Sequence, residues 1–263
     1  MPILTLTTDF GLRDGFVGTL KGVIWGICPE ARIADISHTI SPQNILEGAF
    51  ALWRAYAFFP AGTVHLAVVD PGVGTDRRPL GMRLGEHVFV GPDNGLFTPM
   101  IEDAEKARLP VEFVHLTNPK YWLPEVSRTF HGRDIFAPVA AHLANGSPLT
   151  DMGSSIHNPV RLQLTRPEKT AAGWRAHVTV VDVFGNCTTD LPAAELAGVR
   201  QVVFRVRGRE VPGLSESYGQ RQPGELVALV DSENHVEIAV VNGSAAQVLG
   251  IAVGEPVDVI LAH

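Results

Sequence analysis

The pattern of apolar runs changes character part way along the chain, and that change constrains the fold more than any other feature. Over residues 1–145, short apolar runs of strand length alternate with longer segments whose apolar residues recur at helical spacing. Residues 3–7 (ILTLT) read as a buried strand ending at Thr8 and Asp9, and 15–27 as a helix stopped by Pro29. Residues 32–36 form a second strand, 45–59 a helix rich in alanine, leucine and aromatics, and 64–69 a third strand. Two more strands fall at 87–90 and 111–116, and a helix at 135–143 starts near Pro138, because proline suits a first turn better than an interior. This order predicts an α/β domain, a central sheet with helices on its faces. Loops at the strand C-termini then form the ligand crevice, where Asp9 and Asp70 both fall. Residues 146–158, rich in Gly, Ser, Pro and Asn, read as a linker. From 159 to 263 the signal is short strands at 176–181, 202–206, 226–230, 236–241 and 257–261 between turn residues, which predicts a smaller all-β domain, a barrel or sandwich.

A chain of 263 residues with 45% apolar content can fill two such cores, and its net charge of -7 argues against a general nucleic-acid partner, which needs a basic face. Cys28 and Cys187 lie far apart without CxxC spacing and read as reduced, packing cysteines rather than a disulfide or a zinc site. The N-terminus lacks a basic leader region, and no apolar run reaches the roughly 18 residues of a membrane span. The expectation is a soluble, cytoplasmic protein with no membrane partner.

Three segments put polar chemistry into apolar or glycine-rich surroundings: VVDPGVGTDRR at 68–78, FHGRD at 130–134 and VDVFGN at 181–186. An aspartate at a strand end, an arginine on the following loop and a histidine before another loop are parts of an active site. On the residues alone, Asp before Pro-Gly is equally a turn residue and an Asp–Arg pair equally a structural ion pair. His38, His65, His87, His115, His142 and His157 show no ligand spacing. A metal-dependent phosphohydrolase would recruit Asp9, Asp14, Asp70, Asp93 and His131 around a divalent cation. No HxH or HExxH spacing supports it, and Arg77 beside Asp70 would compete with the cation.

Taken in order, TDFG at 8–11, ICPEA at 27–31, DISHTISP at 35–42, EGAF at 47–50, VVDPGVGT at 68–75, GPDNGL at 91–96, FHGRD, FGN and EIAVVNGSA at 237–245 form a specific set. Through them the chain resembles the S-adenosylmethionine (SAM) hydroxide adenosyltransferase family, relatives of the SAM-dependent fluorinases and chlorinases. The resemblance implies an N-terminal α/β domain, a C-terminal β domain, and a homotrimer with SAM bound between domains of neighbouring subunits. It implies hydrolysis of SAM to adenosine and methionine, with SAM as substrate and neither cofactor nor metal. Asp70, Arg77 and His131 match the family's catalytic set, with Arg77 preferred over Arg78.

The same comparison gives Asp9 the role of accepting both ribose hydroxyls, although its residue context also fits a helix N-cap region. Asp14 stands behind it. Asn186 would pair an adenine edge, donor to acceptor and acceptor to donor, while Phe184 and Tyr218 would stack on the base; on the residues alone both aromatics fit a β-domain core equally well. Asp182 suits the methionine ammonium, Ser232 the amino-acid end, and the segment around Val240 main-chain contacts. The halogenases replace the acidic residue of the DPGVG motif by an aromatic one and the FHGRD histidine by tyrosine. Here Asp70 and His131 remain, and a carboxylate repels a halide and binds water instead. Alternatives are a SAM-dependent halogenase and a non-catalytic SAM or adenosine sensor that keeps the pocket without turnover.

Overall fold

The computed structural model describes residues 1–262, which divide into two compact units with the break after Leu162. The first contains β1 (Ile3–Thr8), α1 (Phe16–Ile27), β2 (Arg32–Ser37), α2 (Ile45–Tyr56), β3 (Val64–Val68), β4 (Pro79–Leu84), β5 (His87–Pro92), α3 (Thr98–Lys106), β6 (Val111–His115), α4 (Ala137–Ala144) and β7 (Ser154–Ile156). Its sheet runs β2-β1-β3-β5-β4-β6-β7. The first four of these strands pair in parallel, and the remaining neighbours pair antiparallel.

Strand alternation sorts the apolar side chains into two layers. Leu4, Leu6, Leu66, Val68, Val88 and Val90 pack with Leu20 and Ile24 of α1 and Val139 and Ala140 of α4. Ala67, Val69 and Phe89 face the other way, onto Ala49 and Leu52 of α2 and Met100 and Ile101 of α3. Each large side chain fully buried in these layers contributes about 1.5–3 kcal/mol, so the strand ends are held rigidly. From β1 the chain crosses first to β2 on one side and later to β3 on the other. The carboxyl ends of β1 and β3 therefore open at a switch point of the sheet, where Asp9 and Asp70 follow their strands.

Several elements depart from the sequence reading. α2 ends at Tyr56 rather than at 59, and Phe58 beyond it is 86% exposed. β4 and α3 were not expected. Residues read as a linker belong to the first unit: Leu149 and Met152 are buried in its core, and β7 extends its sheet by pairing with β6.

The second unit holds β8 (Glu168–Thr170), β9 (Gly173–Val181), β10 (Cys187–Pro192), β11 (Gln201–Val206), β12 (Arg209–Pro212), β13 (Leu226–Val230), β14 (His235–Val240), α5 (Ala245–Leu249) and β15 (Pro256–Ala262). The strands pair antiparallel in the order β12-β11-β15-β9-β10-β14-β13, with β8 added on β9. Ser215, after β12, donates its N–H to the Ala228 carbonyl of β13, which brings the two ends of the sheet into a nearly closed barrel around Val178, Phe204, Ile238 and Val257. Cys28 and Cys187 are buried and unbridged, and burial pushes the Cys187 thiol up to about 12.

Candidate active site

A cleft of about 280 Å³ opens at the switch point of the first unit, lined by Asp9, Gln43, Asp70, Phe130 and His131 among others. Asp70 follows β3 and begins the turn Asp70-Pro71-Gly72, whose chain folds back to place Arg77 beside it. Arg77 grips the carboxylate with both arms of its fork, Nε to Oδ1 at 3.0 Å and Nη2 to Oδ2 at 2.5 Å. The same Nη2 donates to His131 Nδ1 at 3.1 Å, and the guanidinium lies 5.2 Å from the centre of the Phe136 ring. Gly74 closes this loop against the FHGRD segment: its φ is +77°, and a Cβ there would overlap the Arg128 carbonyl.

His131 enters from the other side, immediately before a π-helical turn, Gly132–Phe136, that runs into α4. Such turns occur often at functional sites because the extra residue re-aims its neighbours. Asp134, fully buried, accepts from the backbone N–H and hydroxyl of Ser127 and from Arg133, which pins the 127–131 loop to the helix start. Pro138 lies in the first turn of α4, as expected.

Arg78, the neighbour in sequence, is turned away and binds Asp93 and Asn158. The geometry thus brings Asp70, Arg77 and His131 together and leaves Arg78 to Asp93, just after β5, and Asn158, just after β7.

Protonation follows from these contacts. Burial pushes the Asp70 carboxyl above its ordinary value, while Arg77 and, more weakly, His131 pull it back. The result is a carboxylate that stays paired with a cation yet is more basic than one in water. Burial, with Arg77 next in importance, lowers the His131 pKa. Arg77 has only donors, so Nδ1 of a neutral His131 must accept, and the ring proton sits on Nε2.

Asp9 lines the same cleft. Its Oδ2 accepts from the Gln43 backbone N–H at 2.8 Å, and Oδ1 has no hydrogen bond among the described residues, leaving acceptor capacity for a diol. It caps no helix: α1 has Gly15 at its N-cap and no side-chain cap. Thr8 and His38 shape the loop behind it through the Thr8 Oγ1 to His38 Nδ1 contact at 2.8 Å and the Gly11 N–H to the His38 carbonyl. Asp14 is exposed and does not line the cleft.

A second cleft, about 560 Å³, lies in the barrel unit and is lined by Asp182, Phe184, Asn186, Tyr218, Val240, Asn242 and Gly243. The VDVFGN loop is folded by Asp182, whose Oδ1 accepts from the Phe184 and Asn186 N–H groups at 2.9 and 2.8 Å and whose Oδ2 accepts from Asn186 Nδ2 at 3.1 Å. Gly185, at φ +81°, touches Ser244 so closely that any Cβ would collide with it. Phe184 is 72% and Tyr218 43% exposed, so neither is core. Ser232 is not brought to the cleft. It sits on the exposed β13–β14 turn, and its hydroxyl donates to Glu233. Sequence reasoning missed Asn242 and Gly243, although Asn-Gly is a turn signal, and missed Glu237, which is 6% exposed and accepts from the Tyr218 hydroxyl at 2.7 Å.

An acid, a guanidinium and an imidazole at the carboxyl end of an α/β sheet, with a barrel cleft of aromatic and amide groups in the same chain, define a two-domain enzyme for a small molecule. The chain belongs to the SAM hydroxide adenosyltransferase family, whose N-terminal domain model matches residues 4–153 and whose C-terminal domain model matches residues 176–258. It is 42% identical to the (R)-S-adenosyl-L-methionine hydrolase of Salinispora tropica, over 97% of this chain and 96% of that one. A more distant relative, a fluorinase from an Actinoplanes species, is 26% identical over 90% of each chain. The crystal structure of an uncharacterized conserved protein from Thermotoga maritima superposes with a TM-score of 0.89 at 37% identity, covering 98% of this chain and 99% of that one.

Proposed function

We propose that this protein hydrolyses SAM to adenosine and L-methionine by attack of water on the ribose C5′, with the R configuration at sulfur that the hydrolase relatives' names specify. One observation carries the reading: Asp70, buried and gripped through both oxygens by Arg77, shares that guanidinium with His131 at the mouth of a cleft that also holds Asp9. The sulfonium leaves as a neutral thioether, so no acid is needed for departure. What the site must supply is an oriented water and an acceptor for its proton.

Asp70 is that acceptor, since a carboxylate offers about four lone-pair sites and Arg77 and the Gly72 backbone N–H together use three of them. Arg77 fixes the carboxylate plane and holds His131 as the Nε2–H tautomer. His131 then donates a hydrogen bond to the water oxygen and orients it, rather than taking its proton. Asp9 holds the ribose diol. Two features favour water over a halide: a carboxylate in the place of an aromatic residue, and the identity to the hydrolases, which exceeds that to the fluorinase. A cation bridging Asp70 would have to displace Arg77, and among the described residues no three His, Cys, Asp or Glu side chains converge as a ligand set.

The assembly we propose is the homotrimer that the family resemblance implies, with the ribose end of SAM in the cleft of one subunit's first domain and the adenine in a neighbour's barrel cleft. In that assembly Asp14 and Ser232 act from exposed positions outside both clefts, by ordering their loops. No helix among the described residues is long and apolar enough to cross a membrane, and we place the protein in the cytoplasm. Incubation of the purified protein with the separated sulfonium epimers of SAM, with product identification in the presence and absence of EDTA, tests the reading. Adenosine and methionine from the R epimer without added metal support it; activity that is lost in EDTA and restored by a divalent cation rejects it.

A further inference from the structure

In the barrel cleft, the hydrogen-bond polarity around Asn186 is fixed from both sides. Asp182 and Glu237 are carboxylates and can only accept. The Tyr218 hydroxyl donates to Glu237 Oε1 at 2.7 Å, so its lone pairs face Asn186 Nδ2, which lies 3.4 Å away. The other Nδ2 hydrogen goes to Asp182 Oδ2. Both amide hydrogens are thereby committed, and Asn186 Oδ1 has no hydrogen bond among the described residues. Glu237 is nearly fully buried on β14, opposite Thr188 of β10, so this end of the chain is anchored in the barrel wall. Burial and the Glu237 carboxylate push the Tyr218 phenol above its ordinary value, which keeps its proton in place.

We infer that Glu237, acting through Tyr218, is a positioning residue that makes Asn186 present an acceptor alone to the cleft, and so selects a purine carrying an exocyclic amine over one carrying a carbonyl at the position that meets Asn186. This corrects the two-way pairing expected for Asn186: its amide nitrogen is used inside the domain. The inference rests on the proposed SAM reading for the identity of the ligand, but the polarity argument applies to any purine nucleoside. A 6-oxopurine would set its carbonyl oxygen against Asn186 Oδ1, leaving a pair of acceptors unsatisfied, and a mismatch of this kind costs roughly 10- to 100-fold in affinity.

The test measures adenosine and inosine binding by calorimetry, and kcat and KM for SAM and its deaminated analogue S-inosyl-L-methionine, on the full-length protein. The wild type is expected to prefer the amino base by roughly 10- to 100-fold in Kd and in kcat/KM. Tyr218→Phe and Glu237→Leu are each expected to shrink that ratio by about fivefold or more, with the loss in KM for SAM exceeding the loss in kcat. Glu237→Gln, whose amide oxygen still accepts from the phenol, is expected to restore most of the ratio. Equal binding of adenosine and inosine by the wild type, no adenosine binding, or variants that keep the wild-type ratio would each overturn the inference. Binding that discriminates as expected without SAM turnover would instead leave this polarity intact and refute the hydrolase reading. Because Tyr218 is 43% exposed, its variant tests the link even if Glu237→Leu fails to fold.

Discussion

Replacing Asp70 by asparagine preserves the shape of the site and removes its charge. In the native site the Arg77 and Asp70 side chains are only 7% and 5% exposed and share two charge-assisted hydrogen bonds. An amide keeps one acceptor and turns an NH2 against the guanidinium. One of the two bonds is lost, and Arg77 becomes a buried cation facing a neutral group. Removing one partner of a buried pair costs about 3–5 kcal/mol, and because asparagine retains one bond the lower end, about 3 kcal/mol, applies to the first domain. The chemical step loses its proton acceptor, worth about 10²–10⁴-fold in kcat. Adenosine release at saturating SAM, followed chromatographically, should therefore fall by at least 10²-fold. Urea unfolding at the same temperature would show that the variant is still folded during the assay. A kcat within about threefold of wild type in a folded Asp70→Asn protein would refute the assignment of Asp70 as acceptor.

Gly74→Ala should lower kcat more than it raises KM, because the added Cβ meets the Arg128 carbonyl and pushes the Asp70–Arg77 loop away from His131; a kinetically unchanged, fully stable variant would contradict the close packing. Asn186→Ala should act mainly on KM, checked by steady-state kinetics, since Asn186 lines only the barrel cleft. Acid should destabilise the first domain through His65, which is fully buried between Thr5 and His87 and has its pKa lowered to about 3 by burial. The unfolded chain binds the proton first, so stability is complete above the ordinary histidine value and is lost as pH falls from about 6.5 toward 3. This amounts to about 2 kcal/mol by pH 5. Urea midpoints at pH 7 and pH 5 should differ less in His65→Gln than in wild type. Hydrolysis itself should fall as pH drops through the raised pKa of Asp70, because only the ionised form accepts a proton.

The alternation of strand-length and helical apolar runs located β1, α1, β2, α2 and β3, and with them the two strand ends that carry Asp9 and Asp70. β4 escaped because its sequence, PLGMRL, has proline and glycine and no β-branched residue, and only pairing between β5 and β6 makes it a strand. α3 escaped because TPMIEDAEK is polar on most positions and starts without a capping side chain. In the barrel, β10 buries Thr188 and Thr189, whose hydroxyls bond to Asp231 and the Val236 carbonyl, so its burial is invisible to a count of apolar residues. Motif order was enough to choose Asp70, Arg77 and His131, but not to show why Arg77 and not Arg78: that depends on Asp93 and Asn158 drawing Arg78 away. Ser232 and Asp14 show the limit of position without direction. Each sits near the right segment, and each side chain is on an exposed loop outside the clefts.

In the proposed reaction the nucleophile is a water prepared by Asp70 and His131. Single-turnover reaction with SAM in ¹⁸O-labelled water, with sodium chloride present and the nucleoside product analysed by mass spectrometry, identifies that nucleophile. Adenosine carrying one labelled oxygen at the 5′ position and unlabelled methionine are the expected products. Unlabelled adenosine, or 5′-chloro-5′-deoxyadenosine as the main product, would contradict that reaction.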